Sequence, residues 1–228
     1  MPRDATIAVD VLTTLSAERF TCRAYRSDPV PEDIIQGILQ IAGKTASWCN
    51  VQPWQVVIAS GETTERFREA LTAQAHADPE GAPDIPFPPG HHGIYKARRQ
   101  ETGYRLYAAL GIAREDRERR LSQSLENFRL FGAPHVAIVT VPAEIGPYAL
   151  ADCGSFVGSF LLAARAFGVD TTPQAALAQH SAFIRDFFDI PDTQKVLCGI
   201  SFGYADRDDP ANGFRTSRAS SEEIARLV

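Results

Sequence analysis

The chain is short of lysine and methionine, and it has no long apolar run. Of its 23 cationic residues only Lys44, Lys96 and Lys195 are lysine, so the positive charge is nearly all guanidinium. That excess suits forked recognition of anions, although a biased base composition yields the same preference. The formal net charge is −5 and no basic stripe dominates any stretch, which speaks against nucleic acid as a partner. Apolar runs fall well short of the roughly 20 residues needed to span a bilayer, and no apolar leader is seen at the N-terminus. Cys22, Cys49, Cys153 and Cys198 have neither C-x-x-C nor metal-ligand spacing. They read as small packing residues kept reduced in a cytoplasmic protein. No G-x-G-x-x-G follows an expected strand, since Gly154 and Gly158 fall inside an expected helix, so no dedicated dinucleotide fold is indicated. The adjacent pair His91-His92 lacks further ligands, and no metal is expected.

What is present is an ordinary globular composition, 44% apolar and 22% charged, over 228 residues: one domain with room for a core and a cofactor. Ile7, Val11, Leu12 and Leu15 recur at helical spacing over about 6–16. Pro31, Glu32 and Asp33 open a second helix ending near Ala42, with Ile34, Ile35, Ile38 and Leu39 on its buried stripe. Strands are expected at 55–59, 135–141 and 195–204. Helices are expected at 63–76, 94–110, 114–131, 148–167 and, behind a Ser220/Glu223 capping box, 221–227. Pro79, Pro83, Pro86, Pro88 and Pro89 make 79–93 a surface excursion. Few strands among many helices, without a repeat or a linker, give an α+β class.

Ser47-Trp48-Cys49-Asn50-Val51-Gln52-Pro53-Trp54 is more specific. A turn before a strand needs Pro53, but it does not need Ser, Asn and Gln between two large aromatics. Hydroxyl and amide groups beside aromatic surface suit a flat ring with a polar rim. A polar loop whose Trp54 caps the core is the plainer alternative. One helix upstream lies Arg19-Phe20-Thr21-Cys22-Arg23-Ala24-Tyr25. Ser-x-x-Asn-x-Gln-Pro-Trp followed by a strand, in this order and distance from the Arg-rich segment, resembles the signature of the FMN-dependent nitroreductase family. The stretch Ile94-Tyr95-Lys96-Ala97-Arg98-Arg99-Gln100 with Tyr104 and Arg105 resembles, less specifically, its nitrobenzoate-reductase-like members.

The resemblance implies a nitroreductase-like fold: a mixed central sheet flanked by helices, built as an intertwined homodimer with two FMN sites in the interface. It implies ping-pong chemistry, in which NADH or NADPH and then a nitroarene or quinone stack in turn over one flavin face. FMN needs partners for its phosphate dianion and for the ring edge carrying N1, O2, N3, O4 and N5. Arg19, with Arg215 or Arg218 from Gly213-Phe214-Arg215-Thr216-Ser217-Arg218, matches the phosphate segments. Arg23 inherits the cation beside N1 and O2; Thr21 stands for the usual Ser, and Phe20 departs from the usual Arg or His. Ser47, Asn50 and Gln52, with Trp48 among them, match the segment that reaches the partner's flavin. Pro173, Gln174 and Ala175 match the stretch along N5 and O4, where backbone amides of Gln174 and Ala175 are the expected contacts. No catalytic side chain is named, and 79–110 is the expected lid. Two alternatives stay open: the same fold with another reaction (reductive dehalogenation or flavin cleavage), and a low-turnover flavin-binding protein.

Overall fold

A run as apolar as Val136-Ala137-Ile138-Val139 has no polar face to turn to water, so it fits only a strand covered on both sides. In the computed structural model, which describes residues 3–228, that run lies inside a four-stranded sheet. Its strands are β1 (Gln55–Ser60), β2 (His135–Pro142), β3 (Asp170–Gln174) and β4 (Gln194–Gly203), in the order β1-β2-β4-β3. The helices are α1 (Arg3–Glu18), α2 (Glu32–Ala42), α3 (Glu62–Ala77), α4 (Gly93–Ala109), α5 (Arg117–Leu125), α6 (Pro147–Ala166), α7 (Ser181–Phe187) and α8 (Ser221–Ile224).

The period of two splits β2 between two cores. Ala137 and Val139 pack with Ile38 of α2 and Phe156 and Phe160 of α6 on one face. Val136 and Ile138 pack with Phe67 and Leu71 of α3 and Ile184 of α7 on the other. The helix-sheet-helix layering is therefore written in alternate residues of a single strand. Ser220 and Glu223 form the expected capping box, but the helix behind it stops at Ile224.

Three expectations are corrected. The sheet is not mixed: all three ladders are antiparallel, and parallel pairing is confined to one isolated bridge, Thr21 with Thr171. Asp170–Gln174 is a strand that Pro173 had obscured; it lies at the sheet edge, where a missing N–H does no harm. The helix over 114–131 holds only as α5, because Leu130 and Phe131 adopt left-handed backbone (φ 58° and 53°) and turn the chain into β2. The stripe on α1 exists but is not core: Ile7, Val11 and Leu12 are all more than half exposed.

The Pro-rich excursion is fixed at its start and open at its end. Asp84 accepts from Arg185 of α7 and from the Val196 N–H of β4 (2.9 Å), while its own N–H donates to Ser181 Oγ. Gln179 binds the carbonyls of Pro79 and Glu80, and a Cβ on Gly81 would lie 2.3 Å from the Gln179 carbonyl oxygen. Residues 86–93 are exposed throughout.

Two buried imidazoles make the fold sensitive to acid. His135 Nε2 accepts the Val30 N–H at 2.8 Å, so Nδ1 carries the proton toward Ser60 Oγ. His180 is 97% hidden and packs edge-on against Phe128. Burial pushes both below the ordinary 6.5, Asp78 opposing this weakly at His180. A base whose folded pKa is depressed withholds no stability above its unfolded pKa and subtracts from it as pH falls below that value. Urea midpoints should therefore hold between pH 7 and 8 and drop between pH 6.5 and 5. His180→Leu should blunt that drop; an equally steep drop in this variant would exclude His180 as a source.

Candidate functional site

The motif segment 19–25 leaves α1 and runs beside β3. Its backbone is pinned there: Cys22 N–H donates to the Thr171 carbonyl (3.1 Å), Thr172 Oγ1 donates back to the Cys22 carbonyl, and the Tyr25 hydroxyl lies 2.8 Å from Thr172 Oγ1. Burial raises the Cys22 thiol to about 12, so it is a packing residue without thiolate chemistry. Cys153 and Cys198 are held up likewise, at about 11 and about 12. Cys49, expected as a packing residue, is instead exposed.

From the other end of the chain, Asn212 rivets the C-terminal segment to this one. Its Nδ2 donates to the carbonyls of Ala24 and Asp206, and its Oδ1 accepts the Arg23 N–H at 2.7 Å. Residues 213–219 then lie across from α4, held by Ser217 Oγ on the Glu101 carboxylate and by Arg98 to Glu223 at 3.4 Å.

Between these elements opens a cleft of about 930 Å³. Arg19, Arg23, Arg98, Arg215 and Arg218 line it, against only Glu101 and Glu223. Among the described residues no carboxylate pairs with Arg19, Arg23, Arg215 or Arg218, whereas Arg98 and Arg105 have glutamate partners. Burial, and secondly the nearby Arg218, pull the Arg19 pKa below its usual value; burial does the same to Arg23. Clustered guanidinium groups that outnumber the nearby carboxylates favour an anion. Phe20 serves as the wedge: its ring lies under the guanidinium groups of Arg215 at 4.1 Å and Arg207 at 5.0 Å.

A smaller cleft of about 210 Å³ adjoins the first, sharing Thr21 and Arg23. Pro173, Thr172, Tyr107, Gln123 and Asn127 also line it. Ala175 lines neither cleft, and neither does Gln174, whose side chain turns into the core. Gln123, Asn127, Asn212 and Glu101 were missed by sequence reasoning; isolated amides and acids in polar stretches carry no spacing signal.

Ser47, Trp48, Asn50 and Gln52 line neither cleft of their own chain. Instead Trp48 packs on Tyr148 (4.8 Å) with its N–H on Asp152 of α6. The loop is unusual in its backbone: Cys49, Asn50 and Gln52 all have φ between 50° and 58°. Such backbone is disfavoured for residues with a Cβ. Ser47 Oγ accepting the Gln52 N–H and Gln52 Nε2 on the Asn50 carbonyl hold it in place. The amide and indole groups are thereby directed outward on a stiff loop.

The model of the family described as Nitroreductase family matches residues 17–204. The chain belongs to the nitroreductase family. It is 38% identical to nitroreductase NfnB of Mycolicibacterium smegmatis over 92% of this chain and 89% of that one. It is 32% identical to 4-nitrobenzoate reductase of Pseudomonas putida over 97% of each. Among solved structures, the FMN-dependent nitroreductase NfnB from Mycobacterium smegmatis in complex with NADPH superposes with a TM-score of 0.92 at 36% identity, covering 97% of this chain and 99% of that one. Both motif segments lie in or beside the matched region, and the arginine-bearing 213–219 segment follows it.

Proposed function

We propose that this family member is an FMN-dependent NAD(P)H oxidoreductase that reduces nitroaromatic or quinone-like acceptors two electrons at a time. The observation that carries the reading is the cleft in which five arginines face two glutamates, brought together from the 19–23 segment, α4 and the 214–219 segment. Relatives named as nitroreductase and 4-nitrobenzoate reductase, and a superposable nitroreductase described as FMN-dependent, support it. FMN, when bound, supplies hydride acceptance and two-electron delivery. Arg19, Arg215 and Arg218 hold the phosphate dianion, with Phe20 setting the Arg215 plane. Arg23 places positive charge between the two clefts, where it favours a reduced, anionic ring. Asn127 and Gln123 offer amide contacts to the ring edge in the smaller cleft. Residues 86–110 act as the cover, its base secured at Asp84.

The assembly is a homodimer in which Ser47, Asn50 and Gln52 serve the other subunit's flavin. This explains why they face away from their own cleft, and why Ile7, Val11, Leu12, Trp48 and Val51 stand exposed. A Cβ at Gly154 or Gly158 would meet nothing within 4 Å, leaving that side of α6 open to a close neighbour.

One preparation tests both statements. Purified protein should carry a yellow flavin spectrum that NADPH or NADH bleaches within one turnover under anaerobic conditions and that a nitroarene restores. Light scattering should give twice the 24.9 kDa chain mass. Flavin that NAD(P)H does not bleach would leave a binding protein, and a monomer with full flavin occupancy would remove the shared site.

A further inference from the structure

Gln174 belongs to a stretch whose backbone was the expected contact and whose side chains were assigned no role; its side chain is 97% hidden and hydrogen-bonded at both ends. Its Nε2 donates to the Asn127 backbone carbonyl at 2.8 Å and reaches Asn127 Oδ1 at 3.3 Å; its Oε1 accepts from Ser201 Oγ at 2.5 Å. Asn127 Nδ2 donates to the Ser124 carbonyl at 2.9 Å. Backbone carbonyls only accept, so the Asn127 carbonyl dictates which end of Gln174 is nitrogen, and the Ser124 carbonyl dictates the same for Asn127. Both amides are oriented without ambiguity. Asn127 lines the smaller cleft beside Arg23, Gln123 and Pro173. After these bonds its side chain retains one Nδ2 hydrogen and one Oδ1 lone pair.

We infer that Gln174 is a positioning residue: it locks the Asn127 carboxamide so that the remaining N–H is a fixed donor to the pyrimidine edge of the flavin. This rests on the clefts being the flavin site. The Ser124 carbonyl sets which end of the Asn127 amide is nitrogen, and the Gln174 contacts to the Asn127 carbonyl and Oδ1 set where that amide sits, so their loss would move the remaining N–H off a flavin carbonyl. A donor already oriented needs no ordering when charge develops, so it favours the reduced ring over the oxidised one. Ser201 of β4 is the far end of the same lock, tying the cleft to a central strand.

The test is a double-mutant cycle on the flavin-loaded protein, read as the two-electron midpoint potential by dye equilibration and as the FMN dissociation constant. Gln174→Met keeps the length and removes both bonds. It should weaken reduced relative to oxidised flavin by about tenfold, a potential about 30 mV more negative. Asn127→Ala should give at least that shift. In the Asn127→Ala background Gln174→Met should add nothing, because its effect passes through Asn127. A shift that persists in that background, or no shift from Gln174→Met alone, would overturn the proposal. FMN binding untouched by Asn127→Ala and by Arg23→Ala would instead remove the flavin from the clefts and take the proposal with it. Should Gln174→Met fail to fold, Ser201→Ala takes its place in the cycle, with a smaller shift in the same direction expected and its absence equally decisive.

Discussion

Arg19→Ala and Arg218→Ala should each weaken FMN binding by about ten- to a hundredfold while leaving the unliganded protein no less stable. The first part follows from charge-assisted contacts worth roughly 1.5–3 kcal/mol, at about 1.4 kcal/mol per tenfold in affinity. The second follows from the company these residues keep. Arg218 is among the causes that lower the Arg19 pKa, so the two cations repel one another, and among the described residues the cleft's two glutamates pair with Arg98 and Arg105 rather than with either of them. Deleting one relieves the other. An arginine held for stability would show the opposite pattern. Riboflavin separates the phosphate from the ring: it should bind weakly to the wild type and be little affected by either change. Isothermal titration of FMN and riboflavin, with thermal melts of the unliganded variants, measures all three. Variants that retain FMN at wild-type affinity would remove these arginines from the site.

Asp170→Ala should cost about 3–5 kcal/mol of stability, the range for stranding one member of a buried ion pair. Asp170 is 4% exposed at the start of β3 and holds Arg165 of α6 at 2.9 Å, Arg207 at 2.9 Å and the Ala205 N–H at 3.2 Å. Arg207 is half exposed and can turn to water, but the Arg165 side chain is only 18% exposed and cannot. At about 2–4 °C per kcal/mol for a chain of this size, the melting temperature should fall by roughly 6–20 °C. Arg165→Leu in the same chain should recover part of the loss, because it replaces the stranded cation with apolar volume. A loss under about 1 kcal/mol would mean that the Glu18 carboxylate, 3.6 Å from Arg165 Nε, is partner enough for the cation that Asp170 leaves. Arg207 also lies over the Phe20 ring, so this variant should loosen the wedge beneath Arg215 and weaken FMN binding as a secondary effect.

The legible parts of the sequence were those where burial and period coincide. Val136 to Val139 could only be a central strand, and Ile35, Ile38 and Ala42 could only face inward. Pro173 hid β3, since nothing local says that its strand lies at an edge. The stripe on α1 was read correctly as helical, but periodicity cannot tell a surface covered by the same chain from one left open. At the site, Arg19, Arg23, Arg215 and Arg218 were found through two motifs at opposite ends of the chain, and the cleft joins them. Asn127 and Gln123 were not found, because they reach the smaller cleft through the left-handed turn at Leu130–Phe131 and the exit from α5, neither of which has a sequence signature. Gln174 was found for its backbone, while its side chain became legible only once Ser201 and Asn127 were placed beside it.

The Asp84 anchorage divides the Pro-rich excursion in two. Up to Ile85 the excursion is clamped to α7 and β4, and from 86 to Gly93, where the chain enters α4, it stands exposed. Ile94 and Arg98, in the opening turns of that helix, are themselves part of the cleft wall. The exposed span therefore runs directly into the cleft wall, while the far end of α4 is steadied by Arg119, whose guanidinium grips the carbonyls of Gly111 and Leu110. The same helix is tied across the cleft by Arg98 to Glu223 and by Glu101 to Ser217, so the proline-rich span at 86, 88 and 89 and the C-terminal segment meet on one element.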